Sequence, residues 1–271
     1  MKTIAARKER FSLPVFLILV PLLSFAIPLF LPLPVEITPL AMVFVPALLA
    51  VILVAFTGGS NAVGALLKKL FQWRVGFKWY ILAIGLALGV RLAMSLLALL
   101  FGWIPAIRLN DWSPPQFVII GLFIVIGAIM EELGWRGYAL PRLLSGRSAL
   151  ASALFSGVIW GTTHLALTLP GQMNAGSYWL PTILYIAALS VILTWFYLQT
   201  QGSLAIPILY HVGQSFFVFL NGGISLTQQL WLLTGVTLVL ALILSLIYGA
   251  NLQHGLINQQ GIANTRQAET S

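Results

Sequence analysis

Eight apolar runs divide this chain, and they constrain its fold more than any other feature: Leu13–Leu33, Leu40–Thr57, Trp79–Phe101, Phe117–Leu133 or longer, Ala149–Leu169, Trp179–Gln199, Leu204–Leu220 and Leu226–Ala250. A helix rising 1.5 Å per residue needs about 20 apolar residues to cross a hydrocarbon core of about 30 Å. The stretches between the runs are short and rich in Pro, Gly, Asn and Ser, as turns between packed helices are. Only 7% of the 271 residues are charged and 59% are hydrophobic, too few charges to coat a soluble domain of this size. A water-soluble enzyme, a disordered tail protein and a nucleic-acid-binding module are thereby excluded. With no internal repeat and no long linker, the expectation is an all-α integral membrane protein. It forms one bundle of about eight transmembrane helices over residues 1–250, followed by a polar tail, 251–271, in which His254 is solvated.

The net charge of +8 sorts by membrane side. Lys2, Arg7, Lys8 and Arg10 precede the first run. Lys68, Lys69, Arg74 and Lys78 fall in the second connection, Arg136, Arg142 and Arg147 near the fourth, and Arg266 in the tail. Arg108 is in an opposite loop and Arg91 within a span. The positive-inside rule then gives a multi-pass cell-membrane protein with both termini cytoplasmic and an even number of spans. The first run follows basic residues but is longer than a signal-peptide core, contains prolines and lacks an A-x-A site, so it reads as a span.

Ionisable groups in hydrocarbon are costly and call for a partner or a role. Here they are Arg91, Glu131, Glu132, Arg136, His164 and His211, all but Arg91 in the fourth, fifth and seventh spans. Structural helix–helix contacts could be made by Ser, Thr or Asn at less cost, so this set points to chemistry. A carboxylate shielded from bulk water can take a proton from water, and imidazoles can bind a metal or an oxyanion. Two His and a Glu form a zinc-hydrolase ligand set or a metal-free glutamate–histidine system; the residues leave both open. Cysteine is absent, which excludes disulfides, a thiol nucleophile and Cys-ligated zinc. Neither His164 nor His211 belongs to an HExxH motif. The chain's single Asp, Asp111, cannot form an aspartyl pair, and the nearest approach to a GxSG turn, Gly58-Gly59-Ser60, is expected in a basic loop.

Glu131-Glu132-Leu-Gly-Trp-Arg136 has the form EExxxR, Trp160-Gly-Thr-Thr-His164 the form aromatic-xxx-His, and His211-Val-Gly-Gln-Ser215 the form HxxxN with Ser at its last position. In order and placement these resemble the CPBP (Abi, CAAX-protease-like) family of intramembrane proteases. The resemblance implies an endopeptidase, possible zinc at Glu131, His164 and His211, and a membrane-associated or hydrophobic peptide substrate. It also implies Glu131 as the base for water, His164 as a water or metal ligand, and His211 as an oxyanion donor. Glu132, Ser215, Arg136, Arg91 and Trp160 join the site around them. Glu132 and Arg136, four apart, share a helix face and can pair. Trp160 stands where Phe is more usual, and Ser215 replaces an amide with a shorter donor.

Two rival readings stand beside this one: a catalytically silent scaffold regulating a partner, which Ser215 favours, and a transporter carrying protons on the glutamates. The chain has no matched half-repeat for the latter. If the site exists, the fourth helix must run unbroken from about Phe117 to Leu140, stopping at Pro141, so that Glu131 reaches the depth of His164. Glu131, His164 and His211 then lie within roughly 4–8 Å, in a cavity reached from the cytoplasmic side. Arg91 is expected to face the interior and contact a carboxylate or backbone carbonyls near the glutamates.

Overall fold

A computed structural model describes the backbone of residues 2–253 and the side chains of 11–253, so His254 and nearly all of the tail lie outside the described residues. Within it the chain is all-α. The helices are α1 (Lys2–Phe30), α2 (Thr38–Phe71), α3 (Phe77–Leu100), α4 (Pro114–Leu144), α5 (Ala149–Thr168), α6 (Trp179–Gln199), α7 (Ala205–Asn221) and α8 (Leu226–Tyr248). Seven are long and apolar enough to cross a membrane, making this a multi-pass membrane protein. The remaining one, α7, is shorter and ends in a 3-10 turn, Phe217–Asn221. It packs among α3, α4 and α6 and buries His211, Gln214 and Asn221.

Three boundaries differ from the sequence reading, each for a local reason. Helix α2 does not stop at Thr57. It bends at Gly59, whose φ of 71° only a residue without Cβ adopts readily, and the Ala- and Leu-rich segment beyond carries it on to Phe71. Gly58-Gly59-Ser60 is therefore a kink inside a helix, and Lys68 and Lys69 lie on its last turns. Helix α4 begins at Pro114 behind a Ser113–Gln116 capping box and continues past Leu140 to Leu144. It passes Pro141 because residues Leu133–Ala139 form π-turns. The α-register restarts at Leu140, which leaves Pro141 in a first turn where its missing N–H costs nothing. The Lys69 ammonium donates to the Gly137 carbonyl in that segment at 2.9 Å, tying the end of α2 to it.

Glycine sets the tightest helix contacts. A Cβ on Gly157 would stand 2.7 Å from the Ala187 Cα, and one on Gly161 2.9 Å from the Ile183 Cα. This Gly-xxx-Gly stripe draws α5 onto α6, as small residues do where no hydrophobic drive operates between helices in lipid. A Cβ on Gly134 would likewise meet Pro46 at 2.5 Å, which fixes α4 against α2.

Candidate active site

Helices α4, α5 and α7 bring their polar residues to one point. Glu131 and Glu132 end the regular part of α4, are 6% and 0% exposed, and face the bundle interior. From α5 the Trp160 indole N–H donates to the Glu131 Oε1 at 2.8 Å. The His164 Nε2 stands 3.9 Å from the same oxygen, and from α7 the His211 Nε2 stands 3.7 Å from Oε2. All three side chains thus meet at one depth, with both imidazoles just under 4 Å from the Glu131 carboxylate.

Each imidazole is held by its other nitrogen. The His211 Nδ1 is 3.0 Å from the Glu132 Oε1, which also receives the Arg136 guanidinium at 3.1 Å. The His164 Nδ1 is 3.2 Å from the Trp160 carbonyl one turn back and 3.3 Å from the Thr163 hydroxyl. A proton on each Nδ1 satisfies the carboxylate and the carbonyl and leaves both Nε2 lone pairs turned toward Glu131. Three acceptors so placed suit a molecule that brings its own protons, such as water. Arg136 stacks on the Trp160 ring at 4.6 Å, so the EExxxR helix holds the indole from its face while Glu131 takes its edge.

Two cavities flank His164. One of about 90 Å³ is lined by Glu131, Ser24 and residues of α2. The other, about 190 Å³, is lined by His164, Trp160, His211 and Ser215. Ser215 thus borders the same space as both histidines. The lining of the larger cavity includes Asn174, Ser177 and Leu226, from the end of the bundle opposite Lys69, Arg142 and Arg147. This corrects the expected approach from the basic side: the π-turns and the Trp135–Tyr138 packing around Phe16 fill the bundle between the glutamates and that end.

Arg91 is buried as expected, but its polar contacts are with α7 rather than with either glutamate. Its Nε donates to the Gln214 carbonyl at 2.7 Å, joined by its Nη2, and its Nη1 reaches the Asn221 Oδ1 at 3.3 Å. Asn221 returns a bond to the Arg91 carbonyl at 3.1 Å and another to Ser95 at 2.8 Å. A cation thereby meets the carbonyl end of the helix that carries His211 and Ser215. Neither Asn221 nor Ser95 stood out in the sequence, because single uncharged polar residues near a helix end are unremarkable there.

For zinc the donors stand wide. Neighbouring ligands on a tetrahedral zinc with bonds of about 2.0–2.1 Å are about 3.3 Å apart. The imidazole–carboxylate separations here exceed that, and among the described residues no group of three His, Cys, Asp or Glu side chains is gathered to hold a metal.

A buried glutamate faces two imidazoles on neighbouring membrane helices, an arrangement able to hold a water and take a proton from it. Residues 112–217, which build it, match the family described as type II CAAX prenyl endopeptidase Rce1-like. The chain is also 30% identical over 135 residues to CAAX prenyl protease 2 of Methanococcus maripaludis, a match covering 46% of this chain and 48% of that protein. The chain therefore aligns with about half the length of that curated relative.

Proposed function

We propose that this protein is an intramembrane endopeptidase that hydrolyses membrane-associated or hydrophobic peptides with water activated by Glu131. The observation that carries this reading is the convergence of the Trp160 N–H and both histidine Nε2 atoms on one buried carboxylate. Water between them gives a proton to Glu131 and attacks the scissile carbonyl carbon through its oxygen. Ser215, on the wall of the larger cavity, faces the developing oxyanion with a shorter donor than the amide usual in the family, and the His211 Nε2 beside it accepts from the attacking water. As the C–N bond breaks, Glu131 passes its proton to the leaving nitrogen, so one water is consumed and one amine and one carboxylic acid are formed. His164 holds the water, and Glu132 with Arg136 holds His211. The relative's printed name makes prenylated CAAX proteins one candidate substrate class. Both termini on the cytoplasmic side complete the proposal, on the strength of the basic residues at that end.

The test is cleavage of a peptide library by purified protein, with Glu131→Ala as control. Loss of the positioned base is expected to cost on the order of 100- to 10,000-fold in rate with thermal unfolding unchanged. A Glu131→Ala protein that turns over normally ends the protease reading. Retained pull-down of a membrane partner with no cleavage by the parent protein would instead indicate a scaffold.

A further inference from the structure

The cavities differ in what they can hold, and this separates the two reactants. One cavity of about 540 Å³ lies at the basic end between residues 71–79 and 199–203 and has no site residue in its lining. Of the two at the site, the one bordered by Glu131 is about 90 Å³, room for a few waters with Ser24, Thr163 and His164 as partners. The other carries His211 and Ser215 on its wall. An amide whose oxygen is to reach the Ser215 hydroxyl must therefore come from the larger cavity, on the side away from the small chamber.

Its lining also describes the group beside that amide. Leu189, Leu230 and Leu233 make an apolar wall, whereas Asn174 and Ser177 form a polar rim at the 169–178 loop, suited to peptide backbone. At about 190 Å³ the space falls below the roughly 300–1,000 Å³ typical of pockets for drug-sized ligands, a class that includes prenyl chains. Leu230 is half-buried on the wall.

Building on the proteolytic reading, we infer that this cavity is a specificity pocket for one apolar side chain of leucine to phenylalanine size. The side chain belongs to an unprenylated peptide segment that enters from the 169–178 end of the bundle. The small chamber beside Glu131 receives the water.

The experiment compares wild type, Leu230→Trp and Leu230→Ala on quenched-fluorescence peptides that carry Gly, Ala, Leu, Phe or farnesylated Cys at one varied position. Thermal melts check that the variants fold. Wild type should cleave the Leu and Phe peptides at least tenfold better, in kcat/KM, than the Gly and farnesyl peptides. Leu230→Trp should lose that preference while still cleaving the Ala peptide, and Leu230→Ala should shift it toward Phe. A farnesyl peptide cleaved best by wild type, or a preference that neither variant moves, overturns the pocket. If wild type cleaves nothing, binding of the fluorescent Leu peptide decides. Binding weakened at least tenfold by Leu230→Trp upholds the pocket and counts against proteolysis; binding indifferent to Leu230 removes the pocket as well.

Discussion

The two histidines reach the same carboxylate by different routes. His164 is oriented by its own helix: the Trp160 carbonyl lies four residues back and the Thr163 hydroxyl is adjacent. His211 is oriented from a distance. Glu132, 79 residues away in sequence, holds its ring, and Arg91 and Asn221 hold the end of its helix. The first arrangement forms whenever the helix forms. The second requires α3, α4 and α7 to be docked. Local support makes His164 robust, whereas His211 reports on the integrity of the whole bundle.

Removing Glu132 should have the largest effect on this contrast. Glu132→Ala leaves Arg136 buried without its carboxylate and His211 without its anchor. Breaking a buried pair costs about 3–5 kcal/mol, so a clear fall in thermal stability together with loss of activity is expected. A melt unchanged from wild type would show that His211 does not depend on that contact.

Trp160→Phe comes next, because it keeps a ring for Arg136 to stack on and deletes the N–H given to Glu131. A hydrogen bond to a charged group is worth about 1.5–3 kcal/mol, which predicts a fall in kcat on the order of tenfold or more with folding intact. Equal kcat in the two proteins would reduce Trp160 to a packing residue.

Arg91→Met should lower kcat several-fold with little change in KM, and Arg91→Lys should restore part of it, since either cation can meet the carbonyl end of α7. A change in KM alone would place Arg91 in substrate contact instead. The smallest effect is expected for Thr163→Val: the Trp160 carbonyl still holds the His164 ring, so kcat should stay within about threefold of wild type. A large loss there would erase the proposed difference between the two histidines.

The contrast also explains how much could be read in the sequence. Helices announce themselves through apolar length, and intramembrane Glu, His and Arg are rare enough to single out. Spacing placed Glu132 with Arg136 and required α4 to continue beyond Leu133, and the structure bears out both. The π-turns at Leu133–Ala139 left no sign, because they depend on Gly134 and Gly137 meeting α2 and its neighbours, a tertiary contact. That Arg91 would turn inward and meet backbone carbonyls was legible, but that these belong to α7, with Asn221 beside them, depends on tertiary contact in the same way, and the side from which the cavity opens follows from packing at both ends of the bundle. The kink at Gly59 was hidden because a glycine pair bounded by polar residues reads equally as a turn.

The π-turns also set what lengths of chain α4 can tolerate. An extra residue per turn stores a change of phase, so the helix before Leu133 and the helix after Ala139 present faces that a plain α-helix would not align. Deleting one residue between them would restore α-geometry and swing one half by about 100° against the other. The glutamates would then face inward only if Tyr138, Leu140 and Leu143, all buried, turned out toward lipid. Substitutions in this segment can be absorbed one contact at a time, but a single-residue deletion cannot. A deletion scan through α4 should therefore find its sharpest intolerance between the EE pair and Pro141.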